Sequence, residues 1–163
     1  MKKEMSDVSY LLPCSVVFLT TGNGTKMDAM TATSMFVSEK PPLFVVSVDK
    51  GHMSHALIEE TGHFVMNVAS TGQAKLAKEL GSAHGKKVDK FKKFDIEIEK
   101  AVTMKAPIIK GSFVSIECNV ITSFQASTYT VYLAEAMDFK VNKALTPLVW
   151  HFNRYYGVKD EVK

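Results

Sequence analysis

Residues 47–54 hold the side chains best suited to binding an anion. A predicted buried strand ends there, a loop with a lysine, a glycine and a histidine follows, and Ser54 takes the N-cap position of a predicted short helix. Helix N-termini present unpaired N–H donors and a partial positive charge, so this stretch is a candidate phosphate seat. The alternative is an ordinary capped helix, and the spacing alone favours neither. The residues concerned are Ser47, Val48, Asp49, Lys50, His52 and Ser54.

A second stretch, residues 30–35, combines small and hydroxyl side chains where a core strand usually carries bulky ones. It follows the turn Gly22-Asn23-Gly24, which predicts a hairpin with a strand at residues 14–21. Such a strand offers backbone groups and hydroxyls but little bulk, so a flat ring could lie against it. Its first members are Met30, Thr31, Ala32 and Thr33.

Other reactive residues form weaker patterns. The motifs G-x-G-x-x-G and G-x-S-x-G and the P-loop are absent from the sequence, so neither a nucleotide fingerprint nor an esterase elbow is indicated. His52 and His55 form an H-x-x-H pair, with His63 and His84 nearby. Without the acidic partner of metalloprotease helices, scattered surface histidines are the better interpretation, and we predict no metal.

A lysine cluster lies between residues 86 and 93, next to two phenylalanines. Cations set so closely would suit a nucleic acid. The net charge is only +3 and the chain has a single arginine, so a solvated loop fits better and no nucleic-acid partner is expected. One or two of the lysines remain candidates for a small anionic ligand. The cluster consists of Lys86, Lys87, Lys90, Lys92 and Lys93.

Length and composition indicate one soluble globular domain over residues 1–163. The chain is 46% hydrophobic and 23% charged. Its two cysteines, Cys14 and Cys118, are isolated, which favours a reducing compartment, and we expect a cytoplasmic protein. No run approaches the roughly 20 apolar residues that span a membrane, so no membrane association is expected.

Closely spaced strands dominate the predicted elements. Strand patterns occupy residues 14–21, 30–35, 43–48, 63–68, 94–98, 114–120 and 129–136, and the run at 43–48 is apolar enough to predict burial on both faces. Short helices are predicted from Ser54 to a stop at Gly62, and from a Ser70/Gln73 capping box to Gly81. We therefore predict a mainly β fold, an antiparallel barrel with a few short helices, with a parallel α/β sheet as the alternative.

Taken together, these segments resemble the flavin reductase-like family of FMN-binding split barrels, which includes flavin reductases and flavoredoxins. The resemblance covers residues 12–157, and the order and spacing of its motifs carry it. The motifs are Pro13-Cys14-Ser15-Val16-Val17 with Thr20-Thr21-Gly22; Asp28-Ala29-Met30-Thr31-Ala32-Thr33-Ser34; Val37-Ser38 with Pro41-Pro42-Leu43; His55-Ala56-Leu57-Ile58; Thr61-Gly62-His63-Phe64-Val65-Met66-Asn67-Val68; and Asp89-Lys90-Phe91.

The resemblance implies one FMN site in a groove at a homodimer interface. The flavin ring would lie against Met30, Thr31, Ala32 and Thr33, and the phosphate by residues 47–54, where Lys50, His52 and Ser54 would hold it. Lys90 would reach the ring or the phosphate. The chemistry would be carried by FMN without a catalytic side chain. A second subunit would cover apolar surface around Trp150 and Phe152.

The resemblance also leaves two functions open. The first is NADH- or NADPH-dependent reduction of flavin, or of a ferric or protein acceptor. The second is a flavoredoxin-like carrier that takes electrons from a redox protein. Many NADH-using relatives carry a histidine against the nicotinamide where this chain has Tyr129, and tyrosine offers no cationic donor at neutral pH. Tyr129 is therefore the candidate contact to the nicotinamide or substrate.

Overall fold

Six antiparallel strands close on themselves to form a barrel. The computed structural model describes residues 8–9, 11–83, 88–159 and 161. Around the barrel the strand order is β1-β2-β3-β8-β7-β4, and β4 pairs again with β1. The mainly β, antiparallel prediction is thus confirmed. The strands are β1 Cys14–Gly22, β2 Met27–Glu39, β3 Pro42–Asp49, β4 His63–Val68, β5 Ile98–Glu99, β6 Ile108–Ile109, β7 Val114–Ala126, β8 Tyr129–Val141, β9 Leu148–His151 and β10 Arg154–Gly157.

Three helices and one 3-10 turn connect the strands. They are α1 Met53–Thr61, α2 Ala74–Ser82, α3 Lys90–Lys93 and the 3-10 turn Thr71–Gln73. Gly62 ends α1 as predicted, because its φ of 71° is the left-handed conformation that glycine adopts without a steric penalty. The predicted capping box is also present, with Ser70 and Gln73 each bonding to the other's backbone.

β1 is buried on both faces, and so is the middle of β4. Val17 and Leu19 point into the barrel, while Val16 and Phe18 pack outside it against Ala77 and its neighbours. The prediction of two-sided burial for residues 43–48 was wrong. In β3, Val46 and Val48 are buried but Ser47 is exposed, because the helices α2 and α3 pack on β1 and β2 and leave the outer face of β3 uncovered in the described structure.

One further expectation failed, the strand over residues 94–98, and one hairpin was not predicted. Residues 94–97 do not form a strand, because the chain turns after α3: Asp95 has a φ of 50° and the Ile96 N–H bonds back to Phe91. Only β5 remains of that pattern. The hairpin of β9 and β10 was missed, although Phe152 and Asn153 form its turn with positive φ angles.

A buried carboxylate anchors the loop that precedes β6. Glu117 on β7 accepts hydrogen bonds from the Val102 N–H at 2.7 Å and the Thr103 N–H at 2.6 Å. Burial alone would raise the pKa of Glu117, but the bonds from Thr103 and Val102 outweigh it, and the pKa lies below its ordinary value of 4.5. The ionised carboxylate therefore stabilises the folded chain.

We predict that Glu117→Gln lowers the free energy of unfolding at pH 7 by about 1–3 kcal/mol, because an amide NH₂ would face two backbone donors. A carboxyl with a lowered folded pKa contributes stability above its unfolded pKa and loses it as the pH falls through the folded pKa. Urea unfolding should therefore show a smaller loss of stability below pH 4.5 in Glu117→Gln than in the wild type.

The matched control is Glu97→Gln, because the Glu97 side chain is 76% exposed. Its effect should stay within about 0.5 kcal/mol at either pH. Equal behaviour of the two variants would contradict the assignment of Glu117 as the loop anchor.

Candidate functional site

The barrel opens where β2 and β3 separate. Their ladder runs from Glu39 and Pro42 to Ser34 and Val46 and ends there. Beyond that point residues 27–33 of β2 pair with β1, and residues 47–49 of β3 pair with β8. Both stretches in which site residues were predicted, residues 30–33 and residues 47–49, therefore lie on the two diverging edges.

A groove lies along the β2 edge. It has a volume of about 190 Å³, and Thr31 forms part of its floor. The Thr31 hydroxyl donates a hydrogen bond of 2.7 Å to the Ala77 carbonyl, so α2 packs closely against the strand at this point. Small side chains on β2 thus serve two purposes, since they admit α2 and leave the groove open. The lining residues are Val16, Thr31, Ala32, Thr33, Trp150 and Tyr155.

The N-terminus of α1 lies at the end of the β3 edge. His52 is the N-cap, yet its side chain makes no capping hydrogen bond, and the first turn holds no acidic residue. The prediction that Ser54 is the N-cap was wrong. Ser54 lies one residue inside α1 and is fully buried, because its hydroxyl donates to the carboxylate of Asp28 at 2.7 Å. The N-terminal N–H groups of α1 thus have no side-chain cap.

The loop before α1 is held by its own carboxylate. The Asp49 Oδ1 accepts a hydrogen bond of 2.7 Å from the Gly51 N–H. That bond, with smaller contributions from the Thr128 hydroxyl and the charge of His52, lowers the pKa of Asp49. Lys50 is exposed beside it, and its N–H bonds to the Thr128 carbonyl at 3.1 Å.

Tyr129 lies at the same end of the site. As the first residue of β8 it pairs directly with Asp49, and its side chain is 46% exposed. The structure therefore brings Tyr129 beside the loop of residues 49–52, although 80 positions separate Tyr129 from Asp49 in the sequence.

Lys90 is placed differently from the expectation that it reaches a ligand. It is the first residue of α3 and its ammonium is fully buried, 3.0 Å from the Asp28 Oδ1 and 2.6 Å from the Ala29 carbonyl. With Ser54 these residues form a cluster that we call the buried triad: Asp28, Ser54 and Lys90. Of the lysine cluster, Lys92 and Lys93 are exposed, while Lys86 and Lys87 lie outside the described residues.

Three functional candidates were missed in the sequence. Asp28 is 3% exposed and lies on the same strand face as Met30. A charged residue at an inward-facing strand position was the signal in the sequence that indicated a buried, partnered charge. Trp150 and Tyr155 line the groove from β9 and β10. They were missed as groove residues because the hairpin that carries them was not predicted.

A larger cavity lies elsewhere. It measures about 450 Å³, lies between Gly24, Met27 and residues 98–107, and includes none of the predicted site residues in its lining. In the part of the chain that the structure describes, no three His, Cys, Asp or Glu side chains come together as a metal site; His84 is not among these residues. No helix in the described ranges combines the length and the apolar character needed to cross a membrane.

Comparison with known proteins agrees with this geometry. The family model described as "Flavin reductase like domain" matches residues 9–159. The NADH-dependent FAD reductase of Streptomyces globisporus is 29% identical over 128 residues, which are 77% of this chain and 68% of the relative. An FMN reductase (NADH) of Stutzerimonas stutzeri is 20% identical over 96% of this chain and 88% of the relative. The solved flavoredoxin of Desulfovibrio vulgaris (Miyazaki F) superposes with a TM-score of 0.88 at 21% identity, covering 100% of this chain and 96% of that one.

Proposed function

The chain belongs to the flavin reductase-like domain family, and from this premise we propose that it is an FMN-binding oxidoreductase that reduces flavin, or a ferric or protein acceptor, with electrons from NADH or NADPH. The observation that carries the proposal is the pairing of a groove on β2 with an uncapped helix N-terminus on the other diverging edge. One edge suits a flat ring and the other suits a phosphate.

The phosphate fits the start of α1. Helix N-terminal N–H groups bind anions, and here neither a side-chain cap nor an acidic first-turn residue competes for them. We assign the phosphate contacts to the backbone N–H of Met53 and to the side chains of Lys50 and His52. The Ser54 hydroxyl has a different task, because it is bonded to Asp28.

We assign the flavin ring to the groove. Thr31, Ala32 and Thr33 offer a nearly flat strand edge, and the Trp150 and Tyr155 side chains form the opposite wall. A bound flavin supplies the hydride and electron chemistry itself. The chain's part is to hold the ring at residues 30–33, to exclude water with Trp150, and to donate backbone N–H groups to the ring edge where negative charge arrives on reduction.

A second chain completes this site in our proposal. The groove on one chain holds about 190 Å³, below the roughly 300–1,000 Å³ of typical small-molecule pockets. Apolar side chains are also exposed on β2 and β8, the two strands that flank β3: Met35 at 63%, Phe36 at 55%, Met137 at 50% and Phe139 at 67%. These exposed apolar side chains favour a homodimer. The two free thiols of the chain suit a protein of the reducing cytoplasm.

The second candidate function is an electron carrier that takes electrons from a redox protein. Tyr129 favours it, because an exposed tyrosine beside the loop of residues 49–52 gives the nicotinamide no cationic partner. The two candidates share the FMN site and differ in the donor. A test of the donor therefore separates them without changing the assignment of the cofactor.

We predict that the purified protein binds FMN, and that Lys50→Ala weakens binding about tenfold, because a charge-assisted bond to the phosphate is lost. Quenching of FMN fluorescence measures both affinities. Lys100→Ala, an exposed lysine away from the groove, is the control and should bind as the wild type does. If the wild-type protein shows neither flavin absorption nor fluorescence quenching, the proposed function is wrong. If Lys50→Ala binds FMN with unchanged affinity, the phosphate binds elsewhere.

We predict that the FMN-loaded protein oxidises NADH or NADPH faster than free FMN does. Tyr129→His should raise kcat/KM for the nicotinamide about tenfold, since an imidazole can supply the cationic donor that tyrosine lacks. Stopped-flow and steady-state absorbance measure the rates, and Tyr156→His on β10 is the control. No turnover above that of free FMN in the wild type, with FMN bound, would favour the carrier.

We predict a dimer in sedimentation velocity at micromolar concentration with FMN present. Phe139→Asp should shift the protein towards the monomer, because it places a charge among the exposed apolar side chains of β2 and β8. Phe152→Asp tests the expectation of an interface near Trp150. Dissociation by Phe152→Asp alone would move the interface to β9 and β10, and a wild-type monomer with FMN bound would contradict the shared site.

A further inference from the structure

The buried triad contains two charges that the FMN site as described above does not use. The Lys90 side chain is 0% exposed and that of Asp28 is 3% exposed, with 3.0 Å between the ammonium and the carboxylate. Burial of such a pair costs nearly as much desolvation energy as the attraction returns, so fold stability alone explains it poorly. Its place in the molecule indicates what else it does.

Each member of the triad comes from a different element of the site. Asp28 is on β2, two residues before Met30; Ser54 is in the first turn of α1; and Lys90 begins α3. The two oxygens of Asp28 are divided between them, Oδ1 to Lys90 and Oδ2 to Ser54. Asp28 thus links the strand proposed to hold the ring with the helix proposed to hold the phosphate.

The pair also contacts the backbone of β2, the strand proposed to hold the ring. The Lys90 ammonium donates to the Ala29 carbonyl at 2.6 Å, and Ala29 directly precedes Met30. In a buried, low-dielectric setting an unbalanced charge acts over several ångströms with little screening. The opposite charges of Asp28 and Lys90 nearly cancel, so the pair adds little net charge beside β2.

We propose that the balance of Asp28 and Lys90 sets the reduction potential of the flavin bound at residues 30–33, and that Asp28 is the positioning residue joining β2 to α1. This inference rests on the proposed function. Reduction brings negative charge onto the ring, so an unbalanced lysine would favour the reduced flavin and an unbalanced aspartate would oppose it. Asp28→Asn and Lys90→Met should therefore shift the potential in opposite directions.

A purely structural role predicts something different. Loosening β2 or α1 would weaken the binding of oxidised and reduced FMN alike, and equal losses leave the potential where it was. The potential therefore separates the two roles, whereas stability and affinity do not. The double variant Asp28→Asn/Lys90→Met restores neutrality and should return the potential towards that of the wild type.

The experiment is a spectroelectrochemical titration of FMN-loaded wild type, both single variants and the double variant at pH 7. We expect Asp28→Asn to raise the potential and Lys90→Met to lower it, each by about 30 mV, the equivalent of a tenfold change in the ratio of affinities for reduced and oxidised flavin. Glu99→Gln is the control, because it breaks the exposed pair with Lys140 and should leave the potential unchanged.

The two single variants test the inference independently, so one that fails to fold leaves the other decisive. FMN binding with shifts of the same sign, or with no shift in either variant, overturns this inference and leaves the proposed function intact. A wild-type protein that binds no FMN overturns both. Ser54→Ala adds a test of positioning: it keeps both charges and should weaken FMN binding several-fold without moving the potential.

Discussion

The point at which β2 and β3 stop pairing is the constraint on which the rest of the site depends. A closed barrel satisfies its backbone hydrogen bonds by strand pairing, and any departure must be compensated by other groups. The β2–β3 ladder ends at Ser34 and Val46; beyond it the Lys90 ammonium bonds to the Ala29 carbonyl of β2, and the Ser54–Asp28 bond holds α1 against β2. Separation of the two edges leaves room for a ligand, and α1 fills the rest of the gap.

The two edges then acquire opposite characters. Along β2 the close approach of α2, fixed by the Thr31 hydroxyl, keeps side chains small and the surface flat. Along β3 the chain leaves the sheet at Asp49, turns through Gly51, and presents the free end of α1. Asp28 holds these edges at a fixed separation, because one carboxylate bonds to both α1 and α3. A site of this kind is assembled by the barrel and does not depend on a contiguous motif.

Local signals in the sequence were sufficient for the elements that depend on local chemistry. The Gly22-Asn23-Gly24 turn, the left-handed Gly62, and the Ser70/Gln73 capping box lie where their types and spacing place them. Predictions that depend on distant partners failed: Ser54 prefers Asp28 to its own helix end, and Lys90 turns inward for the same reason. Pairing with Asp28 across 26 positions for Ser54 and 62 for Lys90 has no local pattern to reveal it.

The two sides of the groove are attached to the barrel to different extents: the β9–β10 hairpin pairs with β1 over a shorter stretch than β2 does. The hairpin's contact with the barrel through β1 spans two residue pairs, Cys14 with Trp150 and Ser15 with Val149, whereas the β2 floor is paired with β1 along most of its length. Displacement of the Trp150 wall therefore disrupts far less of the sheet than displacement of the floor. In the proposed site the hairpin is therefore the wall that can move to let a ligand enter or leave, while the barrel fixes the orientation of the ligand.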